Sequence, residues 1–130
     1  MSERKNTIDR LYKTGIVMDP ISEIATYKDS SFAMLLEAQR RGHELYYMEP
    51  KDLYVKDGRV FSRMQGLVVR DNTTDWFSLS PLGDKALDEL GMVLMRRDPP
   101  FDMNYIYATY MLELAEKAGT LIINRPQALR

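Results

Sequence analysis

The sequence contains no cysteine and only one histidine, His43. Disulfide bonds, thiolate metal sites and a cysteine nucleophile are therefore excluded, and a zinc site would lack its usual ligands. The missing cysteines also fit a reducing compartment. His43 lies at the start of a predicted strand, where a structural role is favoured over that of a catalytic base.

Long apolar runs and a strong net charge are absent as well. No apolar run approaches the roughly 20 residues that a bilayer-crossing helix requires, and residues 1–13 lack the apolar core of a signal peptide. A net charge of −1 argues against an extended surface for nucleic acid. We therefore expect a cytoplasmic protein that contacts neither a membrane nor a nucleic acid.

The common glycine-rich motifs are missing too. The sequence has neither G-x-G-x-x-G nor G-x-x-x-x-G-K-[ST], and it has no G-x-S-x-G nucleophile elbow. A nucleotide-binding Rossmann domain is thus a weak alternative. The residues by themselves predict no catalytic group, no metal ligand and no cofactor-binding residue in this chain.

What the sequence does contain is an alternation of short apolar strands with helices. Its 130 residues, 45% of them hydrophobic, are enough for one domain with a core. The first strand, helix and second strand form a βαβ unit, which predicts parallel strands and a right-handed crossover. The predicted strands are 15–18, 43–48, 92–95 and 121–124, and the predicted helices are 31–41 and 103–117.

The middle of the chain is less regular. Lys56-Asp57-Gly58 predicts a hairpin turn between strands at 53–55 and 59–61. A further antiparallel strand is expected at 67–70, a strand or packed loop at 76–79, and a short helix within 81–90. The predicted fold class is α/β: a three-layer Rossmann-like sandwich with a mostly parallel sheet and a small antiparallel excursion between residues 53 and 80. Residues 1–13 are expected to form a flexible arm, and residues 14–130 one domain.

The run from Met95 to Asp102 is the most informative stretch. Each of its two prolines fixes its own φ near −65° and disfavours helix in the preceding residue. The run thus predicts a stiff charged loop where a strand ends. Ligands of open parallel sheets bind at the carboxyl ends of the strands. The loops that follow residues 18, 95 and 124 should therefore converge on one edge.

Five residues of these loops are candidates for holding a ligand. The N-terminus of the first helix favours an anionic group, an arginine can grip a carboxylate through two hydrogen bonds, and an aspartate can accept from an ammonium group. Together they suit an amino-acid-like zwitterion. The alternative is that these charges only pair with one another at the surface. The candidate substrate-binding residues are Asp19, Ser30, Ser31, Arg96 and Asp98.

Several blocks of this sequence resemble bacterial glutathione synthetases. They are G-I-V-M-D-P-I at 15–21, K-D-S-S-F-A-M-L-L-E-A-Q-R-R-G at 28–42, M-R-R-D-P-P-F-D at 95–102 and I-Y-A-T-Y at 106–110. The resemblance runs in order from about Thr14 to Arg130. Residues 53–90 resemble the family less, and Arg97 stands where the family typically has lysine.

The resemblance implies an ATP-grasp ligase that joins γ-glutamylcysteine to glycine through an acyl phosphate, with ATP and Mg²⁺. It covers only the N-terminal, pre-ATP-grasp domain, which is Rossmann-like in this family. The resemblance therefore implies that ATP and Mg²⁺ are bound outside this chain and that this domain alone is inactive. It also implies a homo-oligomer, since the family commonly self-associates.

A second function class stays open. The chain could be a non-catalytic α/β module that dimerises or binds an amino-acid-like ligand. Tyr105, Tyr107 and Tyr110, with Met103 and Met111, form a stripe that is interpreted as core or as a subunit interface rather than as a ligand site. A reading frame that continues into an ATP-grasp region would favour the ligase.

Overall fold

A computed structural model describes residues 10–18, 30–72, 74–97 and 103–126. These ranges contain a seven-stranded sheet and two α-helices of 11 and 15 residues. In chain order the elements are β1 (Lys13–Val17), α1 (Ser30–Arg40), β2 (Glu44–Met48), β3 (Leu53–Lys56), β4 (Arg59–Val69), β5 (Phe77–Ala86), β6 (Met92–Arg97), α2 (Met103–Lys117) and β7 (Leu121–Pro126), with short 3-10 helices at Pro50–Asp52 and Leu87–Glu89.

The sheet combines a parallel part with an antiparallel part. Strands β2, β1, β6 and β7 are neighbours in that order and run parallel, which confirms the predicted βαβ unit. Strand β4 then joins β2 antiparallel, and β3 and β5 pair with β4. The mostly parallel sheet of the prediction is thus confirmed. Its antiparallel part extends to Ala86, beyond the predicted limit at residue 80.

Two predictions for the middle of the chain are wrong. Residues 59–61 and 67–70 were expected in separate strands, but Arg59–Val69 is one strand of 11 residues. Its alternation of buried positions changes between Met64 and Gln65, where the pairing with β5 shifts register. Such a shift moves the buried positions by one residue. The period-two signal is therefore broken in the middle of the strand.

The predicted helix within 81–90 is the second error. Residues 81–86 belong to β5, and only Leu87–Glu89 forms a 3-10 turn. The strand or packed loop expected at 76–79 is the beginning of β5 at Phe77. Proline lacks the N–H of a ladder hydrogen bond and is confined to edge strands and bulges. Among the described strands β5 pairs with β4 alone, so Pro81 is accommodated at this edge.

The predicted turns are confirmed. Asp57 and Gly58 both have positive φ, 53° and 77°, as a two-residue hairpin turn requires. Gly42 follows α1 and Gly119 follows α2, with φ of 91° and 111°. A residue without Cβ adopts this conformation readily and so ends a helix there.

The core has two clusters, one on each face of the sheet. Phe32 and Leu35 of α1 pack with Ile16, Met18 and other residues of one face. On the other face, three residues of α2 pack with alternate residues of the same strands, among them Val17, Met48 and Met95. The helices therefore cover opposite faces, and the three-layer sandwich is confirmed. The α2 residues of the second cluster are Ala108, Leu112 and Ala115.

The tyrosine–methionine stripe of α2 is largely exposed, which contradicts its interpretation as part of the core. Met103, Tyr107 and Tyr110 are 54%, 53% and 65% exposed. Met111 is only partly buried, against the α2 side of the core. The core interpretation is therefore wrong for the three exposed residues. The buried side of the helix carries Ala108, Leu112 and Ala115, and the three exposed residues lie on its outer side.

The first described residues contact the amino-terminal edge of the sheet. Nε of Arg10 donates a hydrogen bond to the carbonyl of Leu90 at 3.2 Å. Lys13, which was expected to end the flexible arm, belongs to β1. The arm before residue 10 lies outside the described residues. In the described ranges neither helix has the length and apolar character to cross a bilayer.

Candidate functional site

The structure describes the five candidate residues unequally. Asp19 and Asp98 lie outside the described residues. Ser30 and Ser31 form the first two positions of α1. Arg96 was expected in the loop that follows the strand, but β6 continues through Arg97, so both arginines belong to the strand. Arg96 is thus the candidate whose side-chain environment the structure defines best.

Arg96 is buried at the carboxyl end of β6. It follows Met95, which pairs with Val17 of β1, and it is 7% exposed. Side chains alternate between the faces of a sheet, so Arg96 shares the face of Leu94, which packs on the α1 side. A charged guanidinium is costly to bury without a partner. Arg96 is not without one, and its position places the guanidinium on the α1 face at this edge.

The N-terminus of α1 lies on the same face and at the same edge. The crossover leaves β1 at its carboxyl end, and α1 packs over the strands from Phe32 onward. The first N–H groups of a helix have no intrahelical acceptor, and its dipole favours negative charge there. The helix start at Ser30 and buried Arg96 both favour an anionic group.

Glu49 is a candidate that the sequence analysis missed. It follows Met48, which pairs with Val17, so Glu49 and Arg96 flank Met18 on its two sides. The hydroxyl of Tyr47 donates to Oε2 of Glu49 at 2.7 Å, which places the carboxylate on the α1 face. With strands spaced about 4.8 Å apart, the backbones of Glu49 and Arg96 are about 10 Å apart. Only the strand order brings them together.

The backbone around Glu49 is held by a local hydrogen-bond pair. Its N–H donates to Oδ2 of Asp52 at 2.9 Å, and the N–H of Asp52 donates back to the Glu49 carbonyl at 2.9 Å. The Glu49 carboxylate lies 3.7 Å from Nζ of Lys51, a loose ion pair whose lysine is largely exposed. These two hydrogen bonds hold the backbone of Glu49 in place, and the backbone in turn positions the side chain that carries the carboxylate.

A polar cleft of about 530 Å³ adjoins Glu49. It lies between the turn after β2 and the bulged region of β4 and β5, and it carries charges of both signs. On its far side the Tyr54 hydroxyl donates to Asp84, and this hydrogen bond raises the pKa of Tyr54. The cleft extends the site away from Arg96 along the same edge. Its lining residues are Glu49, Lys51, Asp52, Arg63, Met64, Gln65, Pro81, Leu82, Gly83 and Asp84.

The arrangement supports binding better than it supports chemistry of its own. Among the described residues, no group of three or more histidines, aspartates or glutamates could hold a metal ion. His43 lies away from the site, at the start of β2, where its Nδ1 is 2.9 Å from Oγ1 of Thr14. The site offers fixed charges and helix N–H groups at one edge. It can therefore hold and orient a polar ligand.

The fold and this edge define a class of protein: an α/β sandwich domain with a polar site at the carboxyl ends of its parallel strands. Residues 12–130 match the family described as prokaryotic glutathione synthetase, N-terminal domain. The match covers most of the chain. This chain belongs to that family.

Comparisons with individual proteins lead to the same family. The chain is 58% identical over 120 residues to a glutathione synthetase of Citrobacter rodentium. It is 57% identical over 120 residues to the glutathione synthetases of Shewanella oneidensis and Escherichia coli K12. In all three comparisons the alignment covers 92% of this chain and 38% of the relative. The chain thus spans less than half the length of the proteins it matches.

Proposed function

We propose that this chain is the substrate-binding N-terminal domain of a glutathione synthetase, the ATP-dependent ligase that joins γ-glutamylcysteine to glycine. The observation that carries the proposal is the family match over residues 12–130. Buried Arg96 and the α1 N-terminus add support, because both favour an anionic ligand at one edge. We expect this domain alone to be inactive, because the chain spans only 38% of the length of the relatives it matches.

In this proposal the domain forms one wall of the γ-glutamylcysteine site. Ser30 and Ser31 contribute hydroxyl and backbone N–H groups at the helix start. Arg96 binds a carboxylate, Asp98 accepts from the amine, and Asp19 extends the wall at the end of β1. The dipeptide carries both kinds of charge, so opposite fixed charges orient it as well as bind it.

The activating chemistry belongs to the part of the enzyme that this chain does not span. When bound, ATP would supply the phosphoryl group that activates a carboxylate for attack by the glycine amine, with ADP as the leaving group, and Mg²⁺ would stabilise the phosphate charge. The family resemblance places ATP and Mg²⁺ outside this chain, which matches only the N-terminal domain of the family. The contribution of this domain is to position the dipeptide, which lowers the entropic part of the barrier.

Two further properties are part of the same proposal. A cytoplasmic location fits a cysteine-free domain of an enzyme whose substrate is a reduced thiol. Self-association fits the exposed apolar residues of α2. Glycine and γ-glutamylcysteine are the proposed substrates.

The test is an Asp98→Ala variant of the complete synthetase that carries this domain. We expect the KM for γ-glutamylcysteine to rise more than tenfold, because a charged hydrogen-bond partner of the amine is lost. The KM for ATP should stay similar. Steady-state kinetics with each substrate varied in turn measures both values.

Asp71→Ala is the matched control. Asp71 is an exposed aspartate beyond the end of β4, near the amino-terminal edge of the parallel strands. Its variant should show wild-type values of KM for every substrate. An unchanged KM for γ-glutamylcysteine in Asp98→Ala would remove Asp98 from the site, whereas a complete protein without ligase activity would overturn the proposed function itself.

The second candidate function is a non-catalytic module that acts by dimerising. The exposed apolar residues of α2 favour it, since they suit a protein contact. A complete protein that binds γ-glutamylcysteine but forms no glutathione with ATP and glycine would favour this module over the ligase.

A further inference from the structure

The polar cleft beside Glu49 contains two opposite charges whose ion pairs are loose. The side chain of Glu49 is 23% exposed and that of Arg63 is 77% exposed. Oε1 of Glu49 lies 3.7 Å from Nζ of Lys51, and Nε of Arg63 lies 4.0 Å from Oδ1 of Asp84. Both distances exceed that of a charged hydrogen bond. The two charges can therefore bind a ligand without the loss of a strong native ion pair.

The strand pairing brings Glu49 and Arg63 close together. Strand β2 pairs antiparallel with β4, and Tyr47 lies opposite Gln65. Continued by two residues, this register brings Glu49 opposite Arg63, and both residues line the cleft. Directly opposite residues of an antiparallel pair share a face and have Cβ atoms about 5 Å apart. A negative and a positive group are thus neighbours in the cleft.

The carboxylate of Glu49 is oriented by a buried tyrosine. The hydroxyl of Tyr47 donates to Oε2 at 2.7 Å, and Tyr47 itself is buried. The other oxygen, Oε1, is directed toward the ammonium group of Lys51, whose side chain is 70% exposed. An ammonium group therefore already lies near Oε1, and an exposed lysine can move aside. A ligand that carries an ammonium group would meet the same oxygen.

The two charges match the head group of an α-amino acid, in which an ammonium and a carboxylate are attached to one carbon. An ammonium suits Glu49, and the guanidinium of Arg63 can hold a carboxylate through two parallel hydrogen bonds. The cleft of about 530 Å³ has room for such a head group and for the chain that carries it. A simple anion or a simple cation would match only one of the two charges.

We propose that Glu49 and Arg63 form a subsite for an amino-acid head group, with the ammonium on Glu49 and the carboxylate on Arg63. The inference rests on the proposed function and deepens it, because that reaction has two ligands with such a head group. One is the γ-glutamyl end of γ-glutamylcysteine, and the other is glycine. From the strand spacing, the backbone of Glu49 is about 10 Å from that of Arg96, so one dipeptide or two adjacent substrates fit along this edge.

The first test is Glu49→Gln in the complete synthetase that carries this domain. Glutamine keeps the size of the side chain and an oxygen that accepts from Tyr47, but it carries no charge. We expect the KM for one substrate, γ-glutamylcysteine or glycine, to rise about tenfold or more, while the KM for ATP stays similar. Steady-state kinetics with each substrate varied in turn shows which of the two supplies the head group.

Glu44→Gln is the matched control. Glu44 is the first residue of β2, and its Oε1 accepts from the hydroxyl of Tyr46 at 2.6 Å. The tyrosine–glutamate contact of Glu49 is thus repeated at the opposite end of the same strand, on the α2 face. The Glu44→Gln variant should keep the wild-type KM for every substrate.

Arg63→Gln tests the other charge of the subsite. Its side chain is largely exposed, so we expect the variant to fold. It should raise the same KM that Glu49→Gln raises, because one head group carries both charges. Arg59→Gln is the control on the same strand, since the exposed guanidinium of Arg59 pairs with Asp88 and neither residue lines the cleft. Its KM values should equal those of the wild type.

Three results would overturn the subsite in variants that circular dichroism shows to be folded. They are unchanged KM values for both amino-acid substrates in Glu49→Gln, an equal rise in Glu44→Gln, and rises for different substrates in Glu49→Gln and Arg63→Gln. A complete protein without ligase activity would instead refute the proposed function. Calorimetric titration of γ-glutamylcysteine and of glycine into the wild type and Glu49→Gln then tests the subsite, with about tenfold weaker binding of one of them expected in the variant. Equal affinities for both would overturn the subsite.

Discussion

The clearest stability prediction concerns Gln39, which joins α1 to the sheet. Its Nε2 donates to the carbonyl of Val69 at 2.7 Å, and its Oε1 accepts from the N–H of Val69 at 2.9 Å. Strand β2 begins at Glu44, and its pairing with β4 ends at Leu45 and Leu67. Val69 therefore has no partner strand on this side, and the amide of Gln39 takes its place.

Replacement of Gln39 by leucine removes both hydrogen bonds while it keeps the size of the side chain and its helix propensity. Each bond contributes about 1 kcal/mol net, and Val69 is buried, so its two backbone groups lose their partners. We expect Gln39→Leu to lower the free energy of unfolding by about 2 kcal/mol. With an m-value of about 2 kcal/mol per molar urea, the midpoint should fall by about 1 M.

Urea unfolding followed by tryptophan fluorescence measures this change. Trp76 is the only tryptophan, and its ring contacts Phe32 of α1 and Phe77 of β5 with centroids 5.1 and 4.7 Å apart. Its emission therefore reports the packing of α1 on the sheet. Arg40→Leu is the control on the exposed side of α1, and its urea midpoint should stay close to that of the wild type. A Gln39→Leu midpoint equal to that of the wild type, with the same m-value, would refute the reasoning.

Two further predictions concern a buried hydroxyl and an exposed ion-pair cluster. The hydroxyl of buried Thr120 lies 3.0 and 3.2 Å from the carbonyls of Leu87 and Leu90. In urea unfolding, Thr120→Val should lower the free energy of unfolding by about 1–2 kcal/mol, and Thr120→Ser should lower it clearly less. Equal losses in the two variants would argue against a role for the hydroxyl. Hydrogen bonds from Arg40, and then from Arg41, lower the pKa of Glu37 from 4.5 to about 2. Because the folded pKa is the lower one, the ionised carboxylate stabilises the fold above pH 4.5, and this contribution is lost as the pH falls toward 2. The difference in Tm between wild type and Glu37→Gln should therefore be present at pH 6 and vanish near pH 2, and a difference that is constant with pH would contradict this assignment.

The candidate site shows the limits of sequence reasoning most clearly. The carboxyl ends of β1, β6 and β7 could be predicted to share an edge, and the parallel pairing of these strands confirms it. Arg96 was identified from its place after an apolar strand. Glu49 was treated only as the end of a strand, although the order β2-β1-β6 places it near Arg96. Nothing in the local sequence around Glu49 indicates that β6 lies two strands away from β2 in the sheet.

The sequence by itself determined the local features of this protein. The two helices end just before Gly42 and Gly119, and the hairpin turns at Asp57 and Gly58, because these residues tolerate positive φ. Apolar periodicity placed the parallel strands and both helices, and the sequence also carried the family resemblance. These features depend on residues that are near one another in the chain, so a single sequence contains the information that decides them.

Only the tertiary structure decided how these pieces share surfaces. It joined β4 to β2, shifted the register at Met64 and Gln65, and placed Pro81 in an edge strand. It also placed the side of α2 with Ala108, Leu112 and Ala115 in the core and left Tyr107 and Tyr110 exposed. Each of these outcomes depends on pairing and packing between residues far apart in the chain. Local propensity and periodicity do not encode which distant partner a residue meets.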